Sequence, residues 1–191
     1  MKISPQTTDE PEASLPARRA ARDRLKAGPG PAGAEAHPPS GDDPPGRAWA
    51  LPGGPGCARH ARAVLAEALT ALGVPRDVVA DARLMVSELA TNAYQHAADY
   101  GPHELWLYTG ESGELRCAVF DGDAGARLPG YSWTSGDCGR GLSIVGELSE
   151  GRWGTTRTVS RIGVPIPGKA VWFTIPASPP VSFEPAAGQS A

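Results

Sequence analysis

The segment from Pro75 to Ala97, PRDVVADARLMVSELATNAYQHA, constrains the fold more than any other part of the chain. Val78, Ala82, Met85, Leu89 and Ala93 recur at steps of three and four, which lines them up on one side of an α-helix of about six turns. Such a helix draws most of its stability from burying that side against another layer of structure. Pro75 stands at its mouth, where a missing N–H costs nothing. The same helix carries a second stripe: Asp81, Glu88, Asn92 and His96, at steps of seven and four, lie off the apolar side. A solvated face is the plain explanation. Asn92, however, sits mid-helix, where asparagine is a poor helix former and competes for backbone hydrogen bonds. A carboxylate one turn from a carboxamide can offer oxygens to a hard cation and position a water beside it.

The neighbouring segments supply the second layer. WALP (49–52) reads as a short strand, and GCARHARAVLAEALTALG as a helix with Ala61, Leu65, Ala68, Leu69 and Leu72 on its apolar side, stopping at Gly73. HELWLYTG and ELRCAVFD alternate as two strands joined by the turn GESG. A polar, glycine-rich loop leads into GRGLSIVGELSE, a short amphipathic helix, and GRWGTTRTV and KAVWFTIP close the domain as a strand pair. The order αα-ββ-loop-α-ββ predicts an α+β two-layer sandwich, a mostly antiparallel sheet with helices on one face. No internal repeat is visible.

Residues 1–46 are crowded with Pro, Gly, Ala and charge and hold almost no large apolar side chains, so a disordered tail is expected there, with LPARRAARDRLKAG as its one candidate for a short basic helix. Residues 47–177 form the expected domain, and 178–191 a second tail. The formal charge of -3 and pI near 5.8 give no general electrostatic reason to bind nucleic acid. Cys57, Cys117 and Cys138 lack the spacing of a zinc site or a disulfide framework. The N-terminus lacks the apolar core of a signal peptide, and no run approaches the roughly 18 apolar residues of a membrane span. A cytoplasmic protein with no membrane contact is the expectation.

Three apparent motifs fail on geometry. Ser87, His96 and Asp99 suggest a hydrolase triad, but positions 87 and 96 differ by about half a rotation of the helix. GVPIPGKA (163–170) nearly spells a P-loop, yet it has Ala170 in place of the magnesium-binding Ser or Thr and a strand where a helix should follow; it reads as a hairpin turn. GRGLSI lacks the third glycine of a dinucleotide fingerprint. CGRGLSIV nevertheless places Gly139 and Gly141 at a loop-to-helix junction, where backbone N–H groups can approach an anion, with Arg140 between them to add charge. VFDGDAGARLPG sets Asp121 at the end of an apolar strand, followed by Gly122, Asp123 and Gly125: a tight turn, or a carboxylate placed to accept from a base amino group.

Taken in order, SELATNAYQHA, VFDGDAGARLPG, GRGLSIVGELSEGRWG and GKAVWFTIP resemble the GHKL (gyrase, histidine kinase and mismatch-repair) ATP-binding domains. More narrowly, they are similar to the small stand-alone bacterial anti-sigma-factor serine kinases. The resemblance spans about residues 48–177 and implies a Bergerat-type ATP-binding fold with ATP and Mg2+ as cofactors. By position, Glu88 corresponds to the catalytic glutamate, Asn92 to the magnesium-binding asparagine, and His96 to a position near the phosphates. Gly139, Arg140, Gly141 and Leu142 correspond to the second glycine box. The first box, DxGxG with a carboxylate under adenine, fits in two registers. From Asp121, Asp123 replaces the first glycine and Gly125 fits. From Asp123, Gly125 is the first glycine, Arg127 replaces the second, and Pro129 follows at a familiar distance. The nucleotide would lie between the helix and a loop running from Asp121 to Asp137. The family implies a serine/threonine protein kinase that binds a sigma factor or a small anti-anti-sigma protein and phosphorylates the latter, with a homodimer as one form. The alternative is a binding module that uses nucleotide only as a structural ligand.

Overall fold

The computed structural model describes residues 45–125 and 138–176, together with Val181 and Phe183. The chain runs β1 (Gly46–Leu51), α1 (Cys57–Ala71), α2 (Arg76–Ala97), β2 (His103–Thr109), β3 (Leu115–Asp121), α3 (Cys138–Leu148), β4 (Trp153–Val159) and β5 (Pro167–Thr174). The five strands form one antiparallel sheet in the order β1-β2-β3-β5-β4. This is the α+β architecture that the sequence predicts.

Alternation along the strands decides what faces the helices. Trp49 pairs with Leu105, Leu105 with Val119 and Val119 with Val171; one step along, Leu107 pairs with Cys117 and Cys117 with Phe173. These rows share one face of the sheet. They meet Ala61, Val64, Leu65 and Leu69 of α1 and Val79, Ala82, Met85, Val86, Leu89 and Ala93 of α2 in a single apolar core. Fully burying a side chain such as Met85 or Leu89 contributes roughly 1.5–3 kcal/mol, which is what holds a helix this long onto the sheet. Helix α1 ends as expected, with Leu72 as its cap and Gly73 at φ +75°. The buried side of α2 is broader than its five-residue stripe, because Val79, Val86, Ala90 and Ala97 are buried as well.

The other face of the sheet is also closed. Trp106 and Phe120 stack at 5.3 Å, and the Arg161 guanidinium lies 4.3 Å from the Trp106 ring centroid. Glu104 is fully buried and accepts hydrogen bonds from Trp106 Nε1 (2.7 Å), the Arg161 N–H (2.9 Å) and the Ile162 N–H (3.2 Å). The connection between β4 and β5, the stretch containing GVPIPGKA, thus anchors itself across this face as a hairpin loop. Gly163 serves the turn at φ +72°, as the sequence suggests, whereas Gly168 already belongs to β5, where a methyl would collide with Phe120 and the Asp121 carbonyl.

Two boundaries differ from the expected domain limits. The Pro45 carbonyl accepts from Thr109 and Gly46 pairs with Tyr108, so β1 starts just inside the 1–46 stretch. Val181 and Phe183, in the stretch read as a C-terminal tail, pack against the main core. Cys57 and Cys117 are free and buried. Burial raises both thiol pKa values, that of Cys57 to about 11, which fits apolar packing rather than metal or redox chemistry. Among the described residues, no helix is long and apolar enough to cross a membrane.

Candidate nucleotide site

The polar stripe of α2 runs beside its buried side. Glu88 and Asn92 are half-buried, while Asp81 and His96 are exposed. Helix α1 steadies this region: Arg62 Nη1 donates to Ser87 Oγ at 2.5 Å, and Thr91 Oγ1 donates to the Ser87 carbonyl at 2.7 Å. Ser87 is therefore engaged away from His96, as the rejection of a triad requires.

Helix α3 meets the stripe at Glu88. Gly141, in the first turn of α3, lies so close that a methyl group there would sit 2.7 Å from Glu88 Oε2. Only glycine leaves the carboxylate where it is. Glu88 and the GRGL segment, 53 positions apart in the sequence (141 − 88), are thus brought together in space. The backbone N–H groups of the first turn of α3 have no partners within the helix, and the positive end of the helix dipole lies in the same turn. Leu142 packs partly into the core and fixes the orientation of α3. Of Gly139 and Arg140 only the backbone is described; both belong to α3.

Asp121 ends the central strand β3 and is 2% exposed. Its Oδ1 accepts from Lys169 Nζ at 2.7 Å and from the Asp123 N–H at 3.1 Å. The lysine was not among the residues singled out in the sequence. One step farther along, Asp123 is only half-buried, and its own Oδ1 accepts from the Gly125 N–H at 3.1 Å, closing a tight turn. The two aspartates therefore differ in their surroundings. Asp121 is the carboxylate on the sheet floor, and Asp123 shapes the loop. The Gly122 N–H donates to the Tyr100 carbonyl at 2.7 Å, which draws the end of β3 against the connection that follows α2. Residues 126–137, which hold Arg127, Pro129 and most of the loop expected from Asp121 to Asp137, lie outside the described residues.

The arrangement fits a magnesium nucleotide on two counts. Gly141 brings the first turn of α3 against the Glu88 carboxylate. Asn92 stands half-buried one turn along α2 from Glu88, where its amide would be one hard oxygen donor of the sparse protein ligation that magnesium accepts when phosphates complete its shell. Among the described residues, no group of three or more His, Cys, Asp or Glu could hold a metal by itself. No curated protein matches the chain. A family model described as a histidine kinase-like ATPase domain matches residues 51–151, more than half of the 191 residues, from the end of β1 past the end of α3. With Glu88, Asn92, Asp121 and Gly141 all inside the matched stretch, the chain belongs to the histidine kinase-like ATPase domain family.

Proposed function

We propose that this protein is an ATP-dependent serine/threonine protein kinase of the partner-switching type, acting on a small anti-anti-sigma-like protein and able to bind the corresponding sigma factor. The observation that carries this reading is the close approach of the Glu88 carboxylate to Gly141 at the start of α3. It puts a proton acceptor beside the backbone donors best placed for phosphate, the pairing that transfer to a hydroxyl requires.

In this reading Asn92 holds magnesium, and the first turn of α3 from Gly139 to Leu142 holds the phosphates, with Arg140 and His96 adding donors at their edge. Asp121 accepts from the base amino group. Magnesium, when bound, supplies neutralisation of the transferring phosphoryl group. Glu88 orients the partner's hydroxyl and takes up its proton. On one side the position of the carboxylate is limited by Gly141. Cytoplasmic location and, for residues 1–44, a role outside folding are part of the same proposal.

Glu88→Gln keeps the size and most hydrogen bonding of the side chain but removes its basicity. It should leave ATP binding roughly unchanged and slow partner phosphorylation by about two orders of magnitude or more. The test incubates the protein and this variant with radiolabelled ATP and each small anti-anti-sigma-like protein of its host. A second reading, a nucleotide-gated binding module, is favoured by Asp123 standing where the first glycine of the DxGxG box belongs. Binding of such a partner in an ATP-dependent way, with no label transferred, would establish that reading in place of the first.

A further inference from the structure

At one end of the sheet, the helix-facing side changes character. Val119 and Val171 form an apolar row under the helices. The next row is Asp121, Lys169 and Arg157, paired across β3, β5 and β4 in that order, and alternation puts it on the same face. Asp121 and Lys169 are 2% and 8% exposed, and Nζ lies 2.7 Å from Oδ1. An ion pair this deeply buried adds little stability over a well-packed apolar pair, so packing alone does not call for one here. Arg157 is turned outward from the pair toward the loop, donating to the Ala124 carbonyl.

What the pair leaves open is more informative. Oδ1 of Asp121 is occupied by Lys169 and the Asp123 N–H, so the second carboxylate oxygen is the one left to accept from a ligand. An ammonium carries three N–H donors, and Asp121 accounts for one of those on Lys169. An acceptor and a donor therefore stand side by side on the helix-facing side of the sheet, at the end of β3 that the chain after α2 crosses. The edge of a 6-aminopurine presents the complement, an amino donor next to a ring-nitrogen acceptor.

We infer that Lys169 is a base-reading residue: its ammonium donates to the ring nitrogen adjacent to the amino group that Asp121 accepts from, so that adenine is recognised at two points by the buried pair. The inference rests on the proposed nucleotide site and adds to it a residue that neither glycine box contains. It also gives the lysine a reason to be buried. A 6-oxopurine reverses the donor and acceptor at these two places and meets the pair with like facing like.

The test titrates the full chain, with magnesium, against ATP and against 1-deaza-ATP, in which a C–H replaces that ring nitrogen. Loss of a hydrogen bond from a charged donor should weaken binding of the analogue by about tenfold or more. Lys169→Met should bind ATP more weakly by a similar factor and should no longer distinguish the two nucleotides. Equal binding of ATP and 1-deaza-ATP by the parent protein would overturn the inference while leaving the nucleotide site intact, and this comparison stands whether or not the variant folds. A folded Lys169→Met that binds ATP weakly but keeps the full preference would overturn it too, showing a lysine that only supports Asp121. If the parent binds neither nucleotide, the site reading itself fails, and the role of Lys169 with it.

Discussion

Replacing Gly141 with alanine tests whether the approach of α3 to Glu88 shapes the site or merely packs the fold. The new methyl would lie 2.7 Å from Glu88 Oε2, but at ordinary contact distances from Glu88 Cβ (3.5 Å) and Cδ (3.6 Å). The overlap is therefore confined to the tip of a flexible side chain and amounts to roughly 0.5–1 Å. Rotation of the carboxylate relieves it at about 0.5–1.5 kcal/mol. Against this, alanine in a helix is favoured over glycine by up to about 1 kcal/mol. The two nearly cancel, so the melting temperature should stay within about 5 °C of the parent. Function should not be spared, since misplacing a catalytic group by about 1 Å costs on the order of a hundredfold in rate. The assay pairs a thermal melt with the initial rate of partner phosphorylation at saturating ATP. Gly146→Ala serves as the control, because its methyl would meet Trp153 Nε1 at 3.1 Å, away from Glu88. An unchanged rate in Gly141→Ala would refute the argument that this glycine positions the carboxylate. A large fall in melting temperature would refute it differently, by showing a glycine needed for folding.

Three further outcomes are expected. Asn92→Ala should abolish magnesium-dependent ATP binding while leaving the melt unchanged or slightly raised, because alanine is the better helix former; calorimetry with and without magnesium reads both. Asp121→Asn should lower both adenine preference and stability, since Lys169 loses its buried counter-ion, whereas Asp123→Asn should alter neither by much; competition between ATP and GTP, alongside a melt of each variant, distinguishes them. A chain starting at Pro45 should melt with the full-length protein and bind ATP equally well, because among the described residues the first backbone hydrogen bond into the sheet is the one the Pro45 carbonyl accepts from Thr109; a marked loss of stability would show that the preceding segment contributes to the fold.

The helices were legible in the sequence because burial on one side of a helix repeats every three to four residues, and the α2 stripe from Ala82 to Ala93 is the side that meets the sheet. Strand existence was legible for the same reason at period two. What alternation could not reveal was the second face. In HELWLYT, Glu104 reads as a solvent-facing position, yet it is fully buried. Its backbone donors come from Arg161 and Ile162, 57 and 58 positions away, and no local pattern announces so distant a partner. The β1 boundary was missed because Pro45 and Gly46 look like linker by composition, whereas their pairing uses only backbone atoms. Glu88, Asn92 and Asp121 stand out as polar positions from spacing and strand position. Lys169 does not, because a lysine near the start of a strand ordinarily reads as solvated; its burial comes with the register opposite Asp121.

Glycine boxes are usually taken as marks of phosphate binding, but two glycines of this site have reasons inside the protein. A methyl at Gly122 would meet the Gly101 carbonyl oxygen at 2.7 Å and that of Tyr100 at 2.9 Å, where the chain after α2 crosses the end of β3. A methyl at Gly141 would meet Glu88. The first would be required in a domain of this shape even if it had lost its ligand, because its neighbours are backbone atoms; the second meets only the tip of a side chain and holds that carboxylate in place. Gly125 differs, since a methyl there would make only an ordinary 3.6 Å contact with Asp123 Oδ1. A retained Gly122 therefore reports that the scaffold is intact, and a retained Gly141 that the Glu88 carboxylate is held in place; neither by itself reports binding. The residues whose presence the fold does not explain are the half-buried asparagine on α2 and the buried aspartate–lysine pair on the sheet floor. Neither adds much to packing, and each has polar groups that a ligand could use. Whether this domain works on ATP is thus a question about Asn92, Asp121, Lys169 and Glu88, and side-chain exchanges at those four positions answer it.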